Sequence, residues 1–537
     1  MSTEPLLREL ERVAEVPDAT ESFRSFIVEL ALRGDLTASD PVRLRAEPVN
    51  LDHILQGMEP LVHSRPRYRW AKRSLAPSPQ FEPPQGWLAT ELANTGLYIN
   101  GIAFKPSDWG ISGRPIIRIQ NLSGLNRDYN YATGDFPDDN LVNTGDLLVS
   151  WSATLDTYLW EGPQGVVNQH IFKVIPNLNA VTPRFLYWLL KHEVRQLAKS
   201  QHAHGLAMMH INRGPFLGHV VLLPSLVEQH RIVAKVEELM ALCDQLELAQ
   251  KEQEAQRDAL RSVSLYRMTS TEGTSELRKD FEFFLESSQR LITKAEHVAS
   301  IRQTIRHLAV TGRLMNVGAD SSHERKPIRR VASLQNGYAF KSEWFQSSGI
   351  RLLRNVNVGH GDVEWASQVC LPESMAEEFA RFSLAEGDIV VSLDRPFITT
   401  GTKVAIVREH DLPCLLLQRV GRFQLDEERL DARYLFLWVQ SPSFSLQIDP
   451  GRSNGVPHVS SKQIEGAELA LPSLEEQRRI VAEVDLLMKV CTELESALAL
   501  AQSERVRLLE SLLHSVLSGT SPQIALVGTY SSQQSAQ

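Results

Sequence analysis

The sequence has few cysteines and no apolar stretch long enough to cross a membrane. Its 537 residues include four cysteines, none spaced as Cys-x-x-Cys, which excludes a usual structural zinc site and a disulfide framework. No segment approaches the roughly 18 consecutive apolar residues of a membrane span. The first residues, MSTEPLLREL, lack the basic and apolar regions of a signal peptide. We therefore expect a cytoplasmic protein.

The motifs of several enzyme classes are also missing. None of the 30 glycines precedes a lysine, which excludes a P-loop. The only Pro-Pro, at 83–84, does not fit the Asn/Asp-Pro-Pro-aromatic loop of adenine methyltransferases. The single acidic-x-Lys triplet, at 324–326, is far from both Pro-Asp pairs that a nuclease would need, and we interpret it as solvated linker. No cysteine or carboxylate completes a metal site in QHAHGLAMMH. We expect no catalytic residue, cofactor or metal.

An internal repeat is the strongest feature of the sequence. The 24 residues that begin at Pro224, PSLVEQHRIVAKVEELMALCDQLE, return at Pro472 as PSLEEQRRIVAEVDLLMKVCTELE, with 15 identical positions. NGIAFK, GDLLVS and RFLYWLL in the first half match NGYAFK, GDIVVS and RYLFLWV in the second. The centres between these matches differ in length and sequence. Such a pattern predicts two related modules with different targets.

A long helix is predicted after each Pro-Ser-Leu. Apolar residues recur there at alternating spacings of four and three, which is the heptad pattern of a helix that packs against a partner helix. The second series continues to Leu512, whereas the first fades after Gln250. The cysteines at two of these positions are interpreted as packed side chains, since buried thiols behave as small hydrophobic groups. The seam positions are Ile232, Val236, Leu239, Cys243, Leu246, Ile480, Val484, Leu487, Cys491 and Leu494.

Each module is predicted to be α+β. Short β-rich runs such as DLLVSW and DIVVSL are separated by Gly, Pro, Asn and Asp, and one helix interrupts them, near 183–199 and again near 431–440. Weaker helices are predicted at 6–36 and 276–315, and a hinge in TSTEGTS after Met268. The predicted domains are 1–85 (N-terminal helix and basic linker), 86–223 (module 1), 224–327 (central helices and hinge), 328–471 (module 2), 472–518 (C-terminal long helix) and 519–537 (flexible tail).

These residues resemble a known family. The segment LPSL-x-EQ-x-RIV-x-x-V before a long heptad helix, preceded by an α+β module that opens near PQGW and NGxAFK, is similar to the specificity subunit of type I restriction–modification enzymes. The resemblance covers nearly the whole chain and occurs twice. It implies two related α+β target recognition domains separated by long antiparallel coiled-coil helices, in a pseudo-two-fold tandem repeat.

The resemblance also implies a function without catalysis. Each recognition domain would read one half of a bipartite, asymmetric double-stranded DNA site, and the helices would set the spacer. Two methyltransferase subunits and two motor-nuclease subunits would supply the chemistry. Two alternatives remain: a coiled-coil scaffold that joins proteins without reading DNA, and an enzyme in its own right, which the missing motifs disfavour.

Charge limits how such a chain could hold DNA. The 56 basic and 65 acidic residues give a net charge of −9, so bulk charge would not coat a nucleic acid. Residues 86–222 hold ten basic and ten acidic residues, and 328–471 hold 15 and 18. DNA contact therefore depends on local basic groups. One basic run, SRPRYRWAKR, could contact phosphates or an acidic partner through Arg65, Arg67, Arg69, Lys72 and Arg73.

Candidate DNA contacts fall into two groups. Cations shared by the modules favour backbone contact or packing, because two different half-sites must be read by residues that differ. The shared group comprises Lys105, Arg114, Arg118, Lys341, Arg351 and Arg354. Unshared polar residues are candidates for base readout. These are Gln201, His202, His204, Arg213, Arg395, Arg452 and Asn454.

Overall fold

The computed structural model describes most of the chain. The described residues are 16, 18–38, 48–65, 68, 83–199, 203–204, 210–271, 274–314, 324–398, 401–449, 451–453 and 456–518. Contacts divide the chain into two compact units, Met1–Lys251 with Arg505–Gln537, and Glu252–Glu504. Each unit mixes helix and sheet. None of the helices in the described ranges is long and apolar enough to be a membrane span.

The described helices carry the labels α1 to α12. They are α1 (Ala19–Arg33), α2 (Leu51–His63), α3 (Ile119–Leu122), α4 (Pro183–Lys199), α5 (Arg213–Leu217), α6 (Leu226–Ser270), α7 (Thr274–Leu291), α8 (Val298–Val310), α9 (Ala432–Val439), α10 (Pro442–Ser445), α11 (Ser461–Gly466) and α12 (Leu474–Ser518).

The strands belong to the two modules. Those of module 1 are β1 (Leu88–Glu91), β2 (Gly96–Asn100), β3 (Arg114–Ile117), β4 (Asn130–Ala132), β5 (Leu141–Val142), β6 (Leu147–Ser150), β7 (Asp156–Leu159), β8 (Gly165–Val167), β9 (Ile171–Pro176), β10 (Ala203–His204), β11 (His210–Ile211) and β12 (Val220–Leu223). Those of module 2 are β13 (Arg325–Pro327), β14 (Ala332–Asn336), β15 (Ile350–Leu353), β16 (His360–Gly361), β17 (Cys370–Leu371), β18 (Ile389–Ser392), β19 (Phe397–Ile398), β20 (Gly401–Thr402), β21 (Val404–Ile406), β22 (Cys414–Leu416), β23 (Val420–Leu425), β24 (Gly451–Ser453), β25 (Val456–His458) and β26 (Glu468–Ala470).

The modules have corresponding sheets. In module 1 the main sheet has the order β2-β9-β6-β7, and in module 2 the order is β14-β23-β18-β21-β16. A second sheet has the order β4-β3-β8-β5 in module 1 and β17-β15-β22 in module 2. In both, the first strand pairs antiparallel with the last, β1 with β12 and β13 with β26. The modules are therefore built on one strand plan, with an added edge strand on a different sheet in each.

The repeated Gly-Asp before β6 and β18 forms the same tight turn in each module. Gly145 and Gly387 have φ values of 93° and 87°, a left-handed region that glycine enters without a Cβ clash. The following carboxylates accept the backbone N–H three residues earlier, from Asn143 at 2.8 Å and from Ala385 at 2.9 Å. The sequence repeat here specifies backbone geometry, not ligand chemistry.

The glutamine of each Pro-Ser-Leu-x-Glu-Gln segment joins the long helix to its module. Gln229 is fully buried; its Nε2 donates to the carbonyls of Ala180 and Pro224, and its Oε1 accepts from the N–H of Thr182 at 2.7 Å. Gln477 is equally buried and makes the corresponding bonds in module 2, to residues 429, 431 and 472. Each long helix therefore starts at a fixed place on its module.

The seam of the long helices has two kinds of partner. Ile232 and Val236 pack into the core of module 1, and Ile480 and Val484 into the core of module 2. These clusters contain residues of both strands and helices, including α1 and α4 in module 1 and α8 and α9 in module 2. The first turns of each long helix therefore join a mixed core, and the pairing of the two long helices stays a prediction for them. Farther along, Cys243 packs with apolar residues of α1 and with Leu509 and Leu512 of α12. The remaining seam positions, Leu239, Leu246, Leu487, Cys491 and Leu494, are buried or half-buried.

Several predicted boundaries change. The helix at 183–199 is confirmed as α4, and the one near 431–440 is α9. The helix predicted at 276–315 is two helices, α7 and α8, separated by a short turn at 292–297. The triplet at 324–326 is not solvated linker, because Arg325 and Lys326 pair with β26. α6 continues beyond the point where its heptads fade, to Ser270, so the hinge predicted at 269–275 overlaps the end of α6 and the start of α7, and 272–273 lie outside the described residues.

Candidate nucleic-acid interface

One end of the main sheet is built alike in the two modules but carries different side chains. We call this end the loop edge; it comprises residues 151–155 and 168–170 in module 1, and 393–396 and 417–419 in module 2. At both edges the residue after the central strand, β6 or β18, donates its backbone N–H to the carbonyl of the residue before the neighbouring strand, β9 or β23. Trp151 N donates to His170 O at 3.2 Å, and Leu393 N donates to Arg419 O at 2.9 Å.

A left-handed residue occurs at the same place in both loop edges. Counting from the repeated GDLLVS and GDIVVS runs, Ala153 corresponds to Arg395. Their φ values are 59° and 47°, a conformation that is uncommon for residues other than glycine. Arg395 is held there by its N–H, which donates to Pro457 O at 2.8 Å. The same backbone path thus presents a methyl group in module 1 and a guanidinium in module 2.

The guanidinium of Arg395 is exposed and, within the described part of the chain, has no hydrogen-bond or ion-pair partner. Its charge lies close to Lys403, since burial and the nearby Arg395 both lower the pKa of the Lys403 ammonium, while Glu364 acts in the opposite direction. Lys403 Nζ itself donates to the carbonyl of Asn355. The side chain of Arg395 therefore remains able to bind another molecule.

Asp394, Arg419 and His458 form a polar cluster beside Arg395. The Nδ1 of His458 lies 2.8 Å from Asp394 Oδ1, and a carboxylate can only accept, so this nitrogen carries the hydrogen. Arg419 Nη1 lies 3.3 and 3.4 Å from the two ring nitrogens of His458 and 3.6 Å from Asp394 Oδ1. Sequence reasoning missed this cluster; the signal was its position directly after GDIVVS and the match of His458 to His210.

The loop edge of module 1 is aromatic where module 2 is charged. The rings of Trp151 and His170 meet edge to face at 5.1 Å, and Trp151 also packs on Phe172 at 5.8 Å. His170 Nε2 lies 3.2 Å from Gln169 Nε2. The buried Nε1 of Trp151 has no hydrogen-bond partner among the described residues. These side chains were not singled out from the sequence, because an aromatic residue after a strand is usually part of a core.

The shared cations are mostly used inside their own modules. Arg351 donates to the carbonyls of His410 and Leu412 and stacks on Trp365 with 4.6 Å to the ring centroid. Arg354 donates to the backbone and hydroxyl of Ser367. Arg114 bonds to Gln164, Arg118 lies over the Trp109 ring, Lys341 lies over the Trp344 ring, and Lys105 is exposed. The arginines of this group make contacts inside their own modules, and the expectation of DNA backbone contact or packing at the shared positions stays a prediction.

The asparagines three residues after Arg118 and Arg354 have the same structural role in the two copies. Asn121 accepts from the N–H of Arg118 at 3.0 Å and donates to two carbonyls of the following loop. Asn357 does the same for Arg354, at 3.2 Å. The Arg-x-x-Asn match is thus a loop closure repeated in both modules.

The other predicted contacts are dispersed or lie outside the described residues. Arg213 is exposed, with Nη2 3.2 Å from Tyr98 O, and Arg65 forms an ion pair with Asp139 at 2.7 Å. His204 lies in β10 and Arg452 in β24, where the structure gives the backbone alone. The predicted residues outside the described ranges are Arg67, Arg69, Lys72, Arg73, Gln201, His202 and Asn454.

One cluster of metal-ligand types occurs in the described helices of the second unit. Ligand atoms of Glu254, Asp258 and His297 lie within 4.8 Å of one another. The Lys294 ammonium lies 2.8 Å from Glu254 Oε1, and Arg261 lies 2.7 Å from Asp258 Oδ1. Two cationic side chains already neutralise these carboxylates, so the cluster is an ion-pair network.

Comparison with known proteins identifies the family. The model of the type I restriction modification DNA specificity domain matches residues 95–257 and 347–501, so each module is matched together with the first part of its long helix. The chain belongs to the type I DNA specificity family. Both matches begin inside a module and end inside a long helix, which agrees with the joint that Gln229 and Gln477 form.

Similar proteins extend the match to the length of the chain. The specificity subunit of the type I restriction enzyme EcoAI from Escherichia coli is 30% identical over 566 aligned positions, which cover 92% of this chain and 93% of that protein. The MjaVIII specificity subunit of Methanocaldococcus jannaschii is 24% identical over 63% of this chain and 71% of its own. The crystal structure of the HsdS subunit from Thermoanaerobacter tengcongensis, at 17% identity, covers 82% of this chain and 98% of its own with a TM-score of 0.39.

Proposed function

We propose that this specificity subunit reads both halves of an asymmetric bipartite DNA site, one half with each module, and carries no catalytic residue. The observation that supports this most directly is the contrast between frame and loop edge. The Gly-Asp turns and the buried glutamines of the helix joints are repeated, whereas Ala153 and His170 stand where module 2 has Arg395 and Arg419. A frame kept twice around different side chains suits two readers of different sequences.

The partners follow from this division of labour. Methylation and cleavage come from methyltransferase and motor-nuclease subunits, two of each, that assemble with double-stranded DNA on this chain. A partner that surrounds the duplex supplies the positive surface that a subunit of charge −9 lacks. In this proposal the paired modules and helices follow a pseudo-two-fold axis, and the symmetry provides two equivalent docking positions.

The long helices set the spacer between the half-sites. α6 and α12 each contain 45 residues, which correspond to about 68 Å at 1.5 Å per residue. An antiparallel coiled coil of this length would hold two modules several base pairs apart on a duplex whose pairs rise about 3.4 Å. The packing of Cys243 with Leu509 and Leu512 supports a contact between the two seams.

Exchange of one module tests the proposal. Residues 88–222 are replaced by the corresponding module of another family member, and the methylated motif is mapped in cells that contain the methyltransferase partner. We expect one half of the motif to change and the other half and the spacer to stay. The exchange of 328–471 is the matched experiment and should change the opposite half. A motif that changes in both halves, or in neither, would contradict independent reading.

A further inference from the structure

We propose that Arg395 reads a guanine in the major groove of the half-site that module 2 recognises, and that Asp394, Arg419 and His458 hold its loop for this contact. The inference rests on the proposed function and adds a named residue and base. It also implies that module 1, with Ala153 at the same backbone position, makes no hydrogen bond to a base from that position.

The backbone at Arg395 is fixed before any ligand binds. On one side Leu393 N donates to Arg419 O, on the other Val459 N donates to Leu393 O, both at 2.9 Å, and Arg395 N donates to Pro457 O at 2.8 Å. The left-handed φ of 47° makes the backbone turn sharply at Arg395. Because these bonds hold the backbone on both sides of Arg395, the main cost of DNA binding at this residue would be to order its side chain.

The polar cluster supports the loop from the adjacent strand ends. Asp394 is bound to His458 at 2.8 Å and lies 3.6 Å from Arg419 Nη1. Its carboxylate is thus directed to these two groups, and no ion pair joins it to Arg395 in the described structure. The guanidinium of Arg395 keeps its hydrogen-bond donors available, unlike those of Arg351 and Arg354, which donate to carbonyls of the module.

The chemistry of an available guanidinium favours guanine. Arginine presents two parallel N–H groups that match O6 and N7 of guanine in the major groove, the commonest specific side-chain contact with DNA. Three cations, Arg395, Lys403 and Arg419, outnumber the neighbouring carboxylates of Asp394 and Glu364 at one edge of a module that is acidic overall, with 15 basic and 18 acidic residues in 328–471. This edge therefore suits a duplex better than the module's average charge does.

Selection of DNA from a randomised duplex pool tests the inference. The full chain in complex with its methyltransferase partner is compared as wild type, Arg395→Ala and Arg395→Gln. We expect Arg395→Ala to lose about ten- to a hundredfold discrimination at one guanine of one half-site. Arg395→Gln, which keeps a bidentate donor–acceptor group, should shift that position from guanine towards adenine. All other positions should stay as in wild type.

Arg408→Ala is the matched control. Arg408 is an exposed arginine of the same module, it lies beyond the opposite end of β21 from Lys403, and its guanidinium is paired with Asp362 at 2.6 Å. This change removes the same charge and should leave the selected motif unchanged. Unfolding temperatures equal to wild type for both alanine variants would show that the difference is not one of folding.

The outcomes separate the inference from the proposed function. If the wild-type complex selects no bipartite sequence, the proposed function is wrong. If the wild type selects a bipartite site and Arg395→Ala selects the same site with unchanged preferences, the function stands and the role of Arg395 is wrong. A uniform loss of affinity for all sequences with Arg395→Ala would assign the residue to phosphate contact and would also overturn base reading.

Discussion

The two modules of this protein share repeated residues that hold the backbone and differ in the side chains of the loop edge. Gln229 and Gln477, and the Gly-Asp turns before β6 and β18, make the same backbone contacts in both modules. At the loop edge the backbone bonds are again the same, yet the side chains are aromatic in module 1 and charged in module 2. Identity between copies therefore marks internal contacts, and the differing side chains are those to which we assign readout in the proposed function.

The two modules differ at their starts. In module 1, Trp87 is buried and its Nε1 donates to Glu228 at 3.1 Å, while the hydroxyl of Thr37 donates to the same carboxylate. Module 2 has no Pro-Gln-Gly-Trp segment before β13. The glutamate of the second copy, Glu476, is half-buried rather than buried. The bond from Trp87 to Glu228 therefore has no Pro-Gln-Gly-Trp counterpart in the sequence before β13.

The largest expected loss of stability follows from replacing the buried glutamines. Gln229→Leu and Gln477→Leu should each destabilise their own unit by about 2–4 kcal/mol, because three buried backbone groups lose their hydrogen-bond partner. Denaturant unfolding measures the size, and hydrogen exchange shows which unit opens. Gln253→Leu, at an exposed position of α6, is the control and should have little effect. A large difference between the two variants would show that the joints are not equivalent.

A smaller loss of stability, confined to the first unit, is expected when the hydrogen bond of Trp87 is removed. Trp87→Phe keeps the aromatic ring and removes the donor to Glu228, so we expect a loss of about 1–2 kcal/mol confined to the first unit. Hydrogen exchange in α6 near residue 228 should rise while α12 near 476 stays protected. Trp109→Phe, at a ring that is 43% exposed, should leave both helices unchanged. Faster exchange at both helix starts would contradict a local role for Trp87.

The smallest loss of stability is expected when an ion pair that is repeated in the two copies is removed. Arg24 Nη2 contacts Asp244 and Glu247, and Arg302 Nη2 contacts Thr492 and Glu495 at the matching positions. Arg24→Ala and Arg302→Ala should each cost up to about 1 kcal/mol, since these pairs are partly solvated. Double variants with Glu247→Ala and Glu495→Ala measure the coupling in each unit. Unequal couplings would show that the helix contacts differ between the copies.

The order of modules and long helices could be predicted from the sequence because each produces a pattern among residues close together in the chain. The repeat at offset 248, the heptads after each Pro-Ser-Leu and the alternating β-rich runs gave the long helices, the two α+β modules and α4 at its observed bounds. The missing motifs and the double resemblance led to the family that the comparisons establish. Periodicity also placed the seam, since burial follows the spacing of apolar residues.

Other features had no local signal. Ile232 and Val236 join the mixed core of strands and helices of module 1, while Cys243 packs with α1 and α12, and this depends on what lies opposite each turn of α6. The strand formed by Arg325 and Lys326 is polar and was taken for linker, because its pairing partner, β26, is more than 140 residues away in the chain.

The sequence by itself determined the repeated frame, since glycines, capping carboxylates and buried amides act on neighbouring backbone and leave recognisable motifs. Only the tertiary structure decided which exposed residues share the loop edge. Asp394, Arg419 and His458 come from three separate segments, and the fold of the sheet is what brings them together. Arg395 could be named from the sequence as a cation, but its left-handed backbone and its lack of an internal partner within the described residues follow from the folded loop.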